Sequence, residues 1–291
     1  MFIATVIASG GLSSALLSDA EDALRDAGIE PMGRSWVERD IACDLLFSAS
    51  PRAAEAALEP LRAHVDIAVQ GEAGRRKRLL VADMDSTVIT VECIDELADF
   101  AGVRARVAEV TERAMRGEFD FEGALEERVA LLKGLPERTL ARCYEERVKL
   151  TPGAKALAHT MRAHGARCLL VSGGFTYFAD RVAQRAGFDR AAANRLEVAD
   201  GALTGTALPP VLGAQAKKQA LIDEAIAMSI DLSETMAVGD GANDIPMIET
   251  AGLGVAYHGK AAVNAAAQVR IAHNDLGALL YLQGYARAEW R

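Results

Sequence analysis

The chain has few of the residues that build disulfide frameworks or zinc sites. Its 291 residues include four cysteines, Cys43, Cys93, Cys143 and Cys168, too far apart for any CxxC pair. That spacing excludes a zinc ribbon or a disulfide scaffold, and the thiols read as packing residues in a reducing compartment. His159, His164, His258 and His273 are scattered, with no pair at metal-ligand spacing. No apolar run approaches the ~20 residues of a membrane span. Positive charge is not in excess: the net charge of -9 argues against non-specific nucleic-acid binding. Met1 to Ser18 is uncharged but lacks the basic start of a secretory leader, and Gly10-Gly11 and Ser13-Ser14 interrupt it. It reads as a strand followed by the start of a helix. The balance suits a soluble cytoplasmic protein of one large or two smaller domains.

What is present is a set of apolar runs that each end in chemistry. Leu79-Leu80-Val81-Ala82 reads as a buried parallel strand and runs into Asp83-Met84-Asp85-Ser86-Thr87. Residues two apart share a face in extended chain, so Asp83 and Asp85 point into one crevice at a strand's carboxyl end, where open α/β sheets bind ligands. Two carboxylates forced together favour a hard divalent cation, and Mg²⁺ fits best. On these residues alone, a capped strand-to-helix turn is an equal reading. A second run, Thr235 to Val238, leads into Gly239-Asp240-Gly241-Ala242-Asn243-Asp244. A third, Cys168 to Val171, ends in Ser172-Gly173-Gly174, a hydroxyl followed by glycines that can form an anion nest. Lys217 lies between the last two motifs. Each piece is weak alone; their order is specific.

That order resembles the haloacid dehalogenase superfamily of aspartate-nucleophile phosphotransferases, and within it the phosphoserine phosphatase family. The residues that carry the likeness are Asp83 to Thr87, Glu92-Cys93-Ile94-Asp95-Glu96, Arg128 to Leu132, Ser172 to Phe175, Ala193-Asn194-Arg195-Leu196 and Gly239 to Asp244. The resemblance runs from about Arg78 to the C-terminus. It implies hydrolysis of O-phosphoserine to serine and phosphate, the last step of serine biosynthesis. Asp83 would be the nucleophile that becomes an aspartyl-phosphate, and Asp85 the general acid and base. The metal ligands would be Asp83, Asp85 through its main chain, and Asp240. Lys217, Ser172 and the N–H of Gly173 would hold phosphate oxygens, Asn243 would position phosphate or substrate, and Asp244 would support the metal-bound water or Lys217. Glu92 would pair with the substrate ammonium, Arg128 would grip its carboxylate, and Phe121 would shield the site. Without the resemblance, Glu92 reads as a helix cap, Arg128 as a surface charge and Phe121 as core. Four carboxylates against one divalent ion and one lysine leave excess negative charge, so Asp85 is expected to have a raised pKa. Another small phosphorylated metabolite, or transfer to a second alcohol, is the alternative.

The expected fold is α/β: a Rossmann-like parallel sheet with an inserted helical cap, preceded by a small ferredoxin-like βαββαβ domain. Strand Phe2–Ala8, helix Leu12–Asp26, strands Ser35–Arg39 and Ala42–Phe47, helix Pro51–His64 and strand Val65–Val69 give that order. Residues 1–72 would form this domain and 73–291 the phosphatase, with core 78–90 and 151–291 and cap 91–150. A βαββαβ unit before such a phosphatase resembles an ACT-like domain, which implies an amino-acid effector or a homodimer contact. Gly71 to Arg78 reads as a solvated hinge. The cap helices are expected at Glu92–Ala101, Val103–Arg116, Phe121–Leu132 and Glu137–Val148, punctuated by Gly102, Gly117 and Gly134-Leu135-Pro136.

Overall fold

A computed structural model describes residues 1–8, 10–115 and 118–291. The expected helix end at Arg116 and the break at Gly117 lie outside the described residues. The chain opens with β1 (Phe2–Ile7), α1 (Ser14–Asp26), β2 (Gly33–Glu38), β3 (Ala42–Phe47), α2 (Pro51–Leu58) and β4 (Asp66–Gly71). The strands form an antiparallel sheet in the order β2-β3-β1-β4, the arrangement expected of βαββαβ. Alternation assigns the two faces. Cys43, Leu45, Ile67 and Val69 pack with Leu17, Leu24 and Leu58 of the two helices. Ala42 and Ala68 point the other way, into the core of the second unit. The helix expected to reach His64 ends at Leu58 and continues as a 3-10 turn over Glu59–Ala63. Pro60 has no N–H to donate to Ala56, which stops the α ladder there.

The second unit begins with β5 (Leu79–Ala82), followed by four helices: α3 (Cys93–Phe100), α4 (Arg104–Met115), α5 (Phe121–Ala130) and α6 (Arg138–Arg147). Asp120 caps α5 by accepting the Gly123 N–H at 2.8 Å. The two crossings between this helical insertion and the sheet lie side by side. Ile89 and Leu150 form a bridge, Thr90 N–H donates to Lys149 O, and Thr151 N–H donates to Val88 O. The chain then runs through α7 (Ala154–Ala163), β6 (Arg167–Phe175), α8 (Thr176–Ala186), β7 (Arg190–Ala199), β8 (Ala202–Leu208), α9 (Ala214–Ala227), β9 (Thr235–Gly239), α10 (Ile245–Thr250), β10 (Leu253–Tyr257), α11 (Ala261–Ala266), β11 (Val269–Ile271) and α12 (Ala278–Leu282). The sheet order is β11-β10-β9-β5-β6-β7-β8, parallel except where β7 meets β8.

Beyond β9 the sheet is extended by β10 and β11. One strand expectation changes. Strand β6 does not stop at Val171 but carries Ser172, Gly173 and Gly174 within it, with a register shift between Val171 and Phe175.

The basic segment after β4 is not a solvated hinge. Arg75 donates to Asp44 Oδ2 at 2.6 Å and to the carbonyls of Tyr281 and Leu282. Arg76 pairs with Glu289 and lies over the Tyr285 ring. Lys77 is buried and donates to Gly74 O and Ser233 O. These cations satisfy carbonyls at the end of α12 and carboxylates on both sides, so the segment is a strap. Asp66, 2% exposed, adds a second tie. It accepts the N–H groups of Ala272, His273 and Asn274 and the Asn274 side-chain amide.

Replacing Asp66 by Ala leaves those donors buried without an acceptor. A loss of about 2–4 kcal/mol is expected, read as a lower urea midpoint. A chain starting at Arg78 should lose stability for the same reason.

Candidate active site

Strands β9, β5 and β6 are neighbours, and their carboxyl ends bring the three motifs together. Asp83 leaves β5 with its N–H bonded to Val238 O of β9. Its Oδ1 accepts the Met84 N–H at 2.7 Å and lies 2.7 Å from Lys217 Nζ. The next residues make a tight turn, closed by Ile89 N–H on Met84 O. Ser86 holds φ +54° within it, a left-handed conformation that costs a non-glycine residue free energy. Its hydroxyl donates to Glu92 Oε1 at 2.7 Å, and that bond fixes the turn against the start of α3.

Asp85 is held from two sides. Its Oδ1 accepts the Cys93 N–H at 3.0 Å, and its Oδ2 lies 3.4 Å from Ser172 Oγ. A methyl group at Gly174 would come within 2.5 Å of Asp85 Oδ2, so this position must lack a side chain. Ser172 Oγ also accepts the Gly174 N–H at 2.8 Å.

Lys217 enters from α9 and is fully buried. Its Nζ lies 2.7 Å from Asp83 Oδ1 and 2.7 Å from Asp244 Oδ1. Burial alone would lower its pKa, but Asp244 and then Asp83 overcome that and raise it. The lysine is therefore a fixed cation. Asp244 accepts the Gly241 N–H through its other oxygen and lies so close beneath Gly239 that any side chain there would overlap it. One oxygen from each of Asp83, Asp240 and Asp244 lies within 4.8 Å of the others. Three oxygens so close, with a single buried ammonium beside them, match the donor set of a hard divalent ion.

Excess negative charge is spread more widely than expected. Burial, then Glu92, pushes Asp85 up to about 7. Asp85 does not carry the excess alone, however. Burial and Asp244 raise Asp83 well above its ordinary value, against the pull of Lys217. Burial, then Asp244, raises Asp240 to about 6.

The helical insertion closes over this floor. A methyl group at Gly173 would come within 2.9 Å of Phe121 Cζ, and one at Gly213 within 3.1 Å of Phe121 Cδ1. The ring of Phe121 is thus seated on the Ser172–Gly174 segment and the start of α9. The Asn243 amide also faces Gly173. Glu92 is the residue before α3, yet its side chain makes no capping bond and turns to Ser86 instead. Arg128 is half-buried on α5 and donates to Ala124 O, and the charges of Asp95, Glu92 and Asp85 act on it. Asp83, Asp85, Ser172, Gly173, Lys217, Asp240, Asn243 and Asp244 thus meet at the strand ends, with Phe121 over Gly173 and Glu92 on Ser86, whereas Arg128, among the described residues, is tied only to its own helix.

Asn194 is a site residue that the sequence reading left without a role. Its amide donates to Gly173 O and Leu212 O and accepts Leu212 N–H at 2.6 Å. It clamps the glycine segment to the start of the Lys217 helix. The run Ala193-Asn194-Arg195-Leu196 was visible, but the partners of Asn194 lie on other strands and loops.

Comparison with known proteins decides the family. The haloacid dehalogenase-like hydrolase family matches residues 80–249. A phosphoserine phosphatase of Albidiferax ferrireducens is 45% identical over 210 residues, covering 70% of this chain and 89% of its own. The chain belongs to the haloacid dehalogenase-like hydrolases, in their phosphoserine phosphatase branch. Phosphoserine phosphatase SerB2 of Mycobacterium tuberculosis is 44% identical over 228 residues, 78% of this chain, but the match spans only 56% of that longer protein. The crystal structure of a probable phosphoserine phosphatase from Vibrio cholerae, unliganded, is 36% identical, with a TM-score of 0.79 over 99% of this chain and 87% of that one. The branch accounts for the three-strand motif set. No helix among the described residues is long and apolar enough to cross a membrane.

The carboxylate cluster sets a pH dependence. Asp240 is raised from 3.8 to about 6. Its contribution to stability is therefore full below pH 3.8 and is lost as pH rises through 6. A divalent ion binds the ionised form and must displace a proton at low pH. The rise in melting temperature on adding Mg²⁺ should therefore be larger at pH 7.5 than at pH 5, measured by thermal unfolding in matched buffers.

Proposed function

We propose that this chain hydrolyses O-phospho-L-serine to L-serine and phosphate through an aspartyl-phosphate on Asp83, with Mg²⁺ as cofactor. The observation that carries the reading is the placement of Asp83: it is buried at the end of the central strand, bonded to Lys217, beside oxygens of Asp240 and Asp244, with Asp85 two residues on.

The chemistry follows from charge. A phosphomonoester dianion repels an attacking carboxylate. Mg²⁺ held by Asp83, the Asp85 main chain and Asp240 would supply positive charge that offsets this repulsion. Asp83 attacks phosphorus in line, forming an O–P bond as the ester O–P bond breaks. Lys217, Ser172 and the Gly173 N–H take the equatorial oxygens as charge spreads, with Asn243 beside them. Asp85 gives its proton to the leaving serine oxygen and then takes one from the water that attacks the aspartyl-phosphate. Its raised pKa supports the first half of this role. Asp244 holds Lys217 in place. In the cap, Glu92 would receive the substrate ammonium, Arg128 its carboxylate, and Phe121 would exclude water.

The same reading treats residues 1–72 as an ACT-like unit and 73–291 as the phosphatase, with core 78–90 and 151–291 and cap 91–150. A cytoplasmic homodimer with an amino-acid effector at the N-terminal unit completes it.

Asp83→Asn should abolish phosphate release and leave no acid-stable, alkali-labile phosphoprotein. Asp85→Asn should slow both formation and breakdown of that adduct. Wild-type turnover in either variant, measured by inorganic phosphate, overturns the corresponding assignment. Arg128→Ala should raise KM for phosphoserine by about tenfold or more, the worth of a charged hydrogen-bond pair. The same change should matter far less for phosphoethanolamine, which lacks the carboxylate. Equal effects on both esters would remove Arg128 from substrate recognition.

A further inference from the structure

We infer that Lys260 is a positioning residue of the cation site: its ammonium is the counter-charge on the outer side of Asp240 and sets how tightly the site takes a divalent ion. The inference rests on the metal reading above. Lys260 Nζ lies 3.7 Å from Asp240 Oδ2, and its backbone N–H donates to Asp240 O at 3.0 Å. Both ends of the residue thus address the same aspartate.

The loop that carries Lys260 has little freedom. His258 sits at φ +44°, with its N–H on Ile271 O and its Nε2 3.1 Å from Asn274 O. The Asn264 amide donates to Gly259 O at 2.6 Å, and a methyl group at Gly259 would come within 2.7 Å of Val263 Cγ1. The main chain of Lys260 is fixed between β10 and α11, while its side chain is 70% exposed at the rim.

Asp83 and Asp244 crowd Asp240, Glu92 adds further negative charge, and Lys260 and Lys217 are the cations acting on it. Lys217 is already committed at 2.7 Å to both Asp83 and Asp244. Among the described residues, Lys260 is the cation paired with Asp240 Oδ2. An incoming divalent ion needs an oxygen of this carboxylate and is repelled by the ammonium beside it. At an exposed edge, a unit charge a few ångströms from a dipositive ion weakens binding roughly three- to tenfold. The effect must fade as salt screens it, because the Debye length shrinks from about 10 Å at 0.1 M to 3 Å at 1 M.

The test is calorimetric titration of the full chain with Mg²⁺, without substrate. Lys260→Met should bind Mg²⁺ roughly three- to tenfold more tightly than wild type at low ionic strength. The difference should fall below about twofold in 1 M NaCl, and Lys260→Arg should keep the wild-type affinity. Unchanged or weaker binding by Lys260→Met, or a gap that persists at high salt, overturns the assignment. Wild-type chain that takes up no Mg²⁺ overturns the metal reading itself, a result distinct from equal binding by wild type and variant.

Discussion

Four carboxylates sit out of water around one buried ammonium, and this crowding shapes the whole active site. Asp83, Asp85, Asp240 and Asp244 are each nearly or wholly buried, with Lys217 between Asp83 and Asp244. Such a cluster is unfavourable by itself, which is why three of its carboxyl groups are pushed up. A rigid sheet tolerates it because the packing beneath is extensive and the strand ends have nowhere to relax. On the proposed reading, a bound cation would relieve repulsion already present in the fold.

The supporting contacts follow from that crowding. Gly174 has no side chain because Asp85 needs the space, and Gly239 because Asp244 does. Ser86 accepts a left-handed conformation where the chain turns after Asp85, and its hydroxyl ties that turn to Glu92. Asn194 and Phe121 meet at Gly173 from opposite directions, one holding its carbonyl and the other covering its face. Removing water from such a site strengthens every charge interaction inside it.

The N-terminal unit is part of the same construction. Strands β1, β3 and β4 are buried on both faces, one under the unit's own helices and one against the larger unit, while the edge strand β2 is mostly exposed. Asp44 and Asp66 are anchored by groups from the strap and from the loop after β11. A module attached this way differs from one swinging on a linker. Any influence it has on the site passes through packed contacts, from β4 to β11 and then β10, the neighbour of the strand that leads into Asp240.

The elements were legible where local pattern governs them. Apolar runs ending in Asp83, Ser172 and Asp240, and the amphipathic insertion after Thr87, are written in composition and spacing, because strand burial and helix periodicity are short-range properties. What the chain alone left open was decided by distance in space. Arg75 and Lys77 looked like a solvated basic patch because the carbonyls that Arg75 meets lie some two hundred positions away, and one of the two that Lys77 meets, Ser233 O, over a hundred and fifty. The short strand β11 carries an arginine and only three residues, too little for a pattern, and exists because β10 templates it. Asn194 and Lys260 gained their partners only when separate strands converged. Residue order fixed which groups were available; packing fixed which of them met, because hydrogen bonds and ion pairs depend on ångströms that no spacing along the chain encodes.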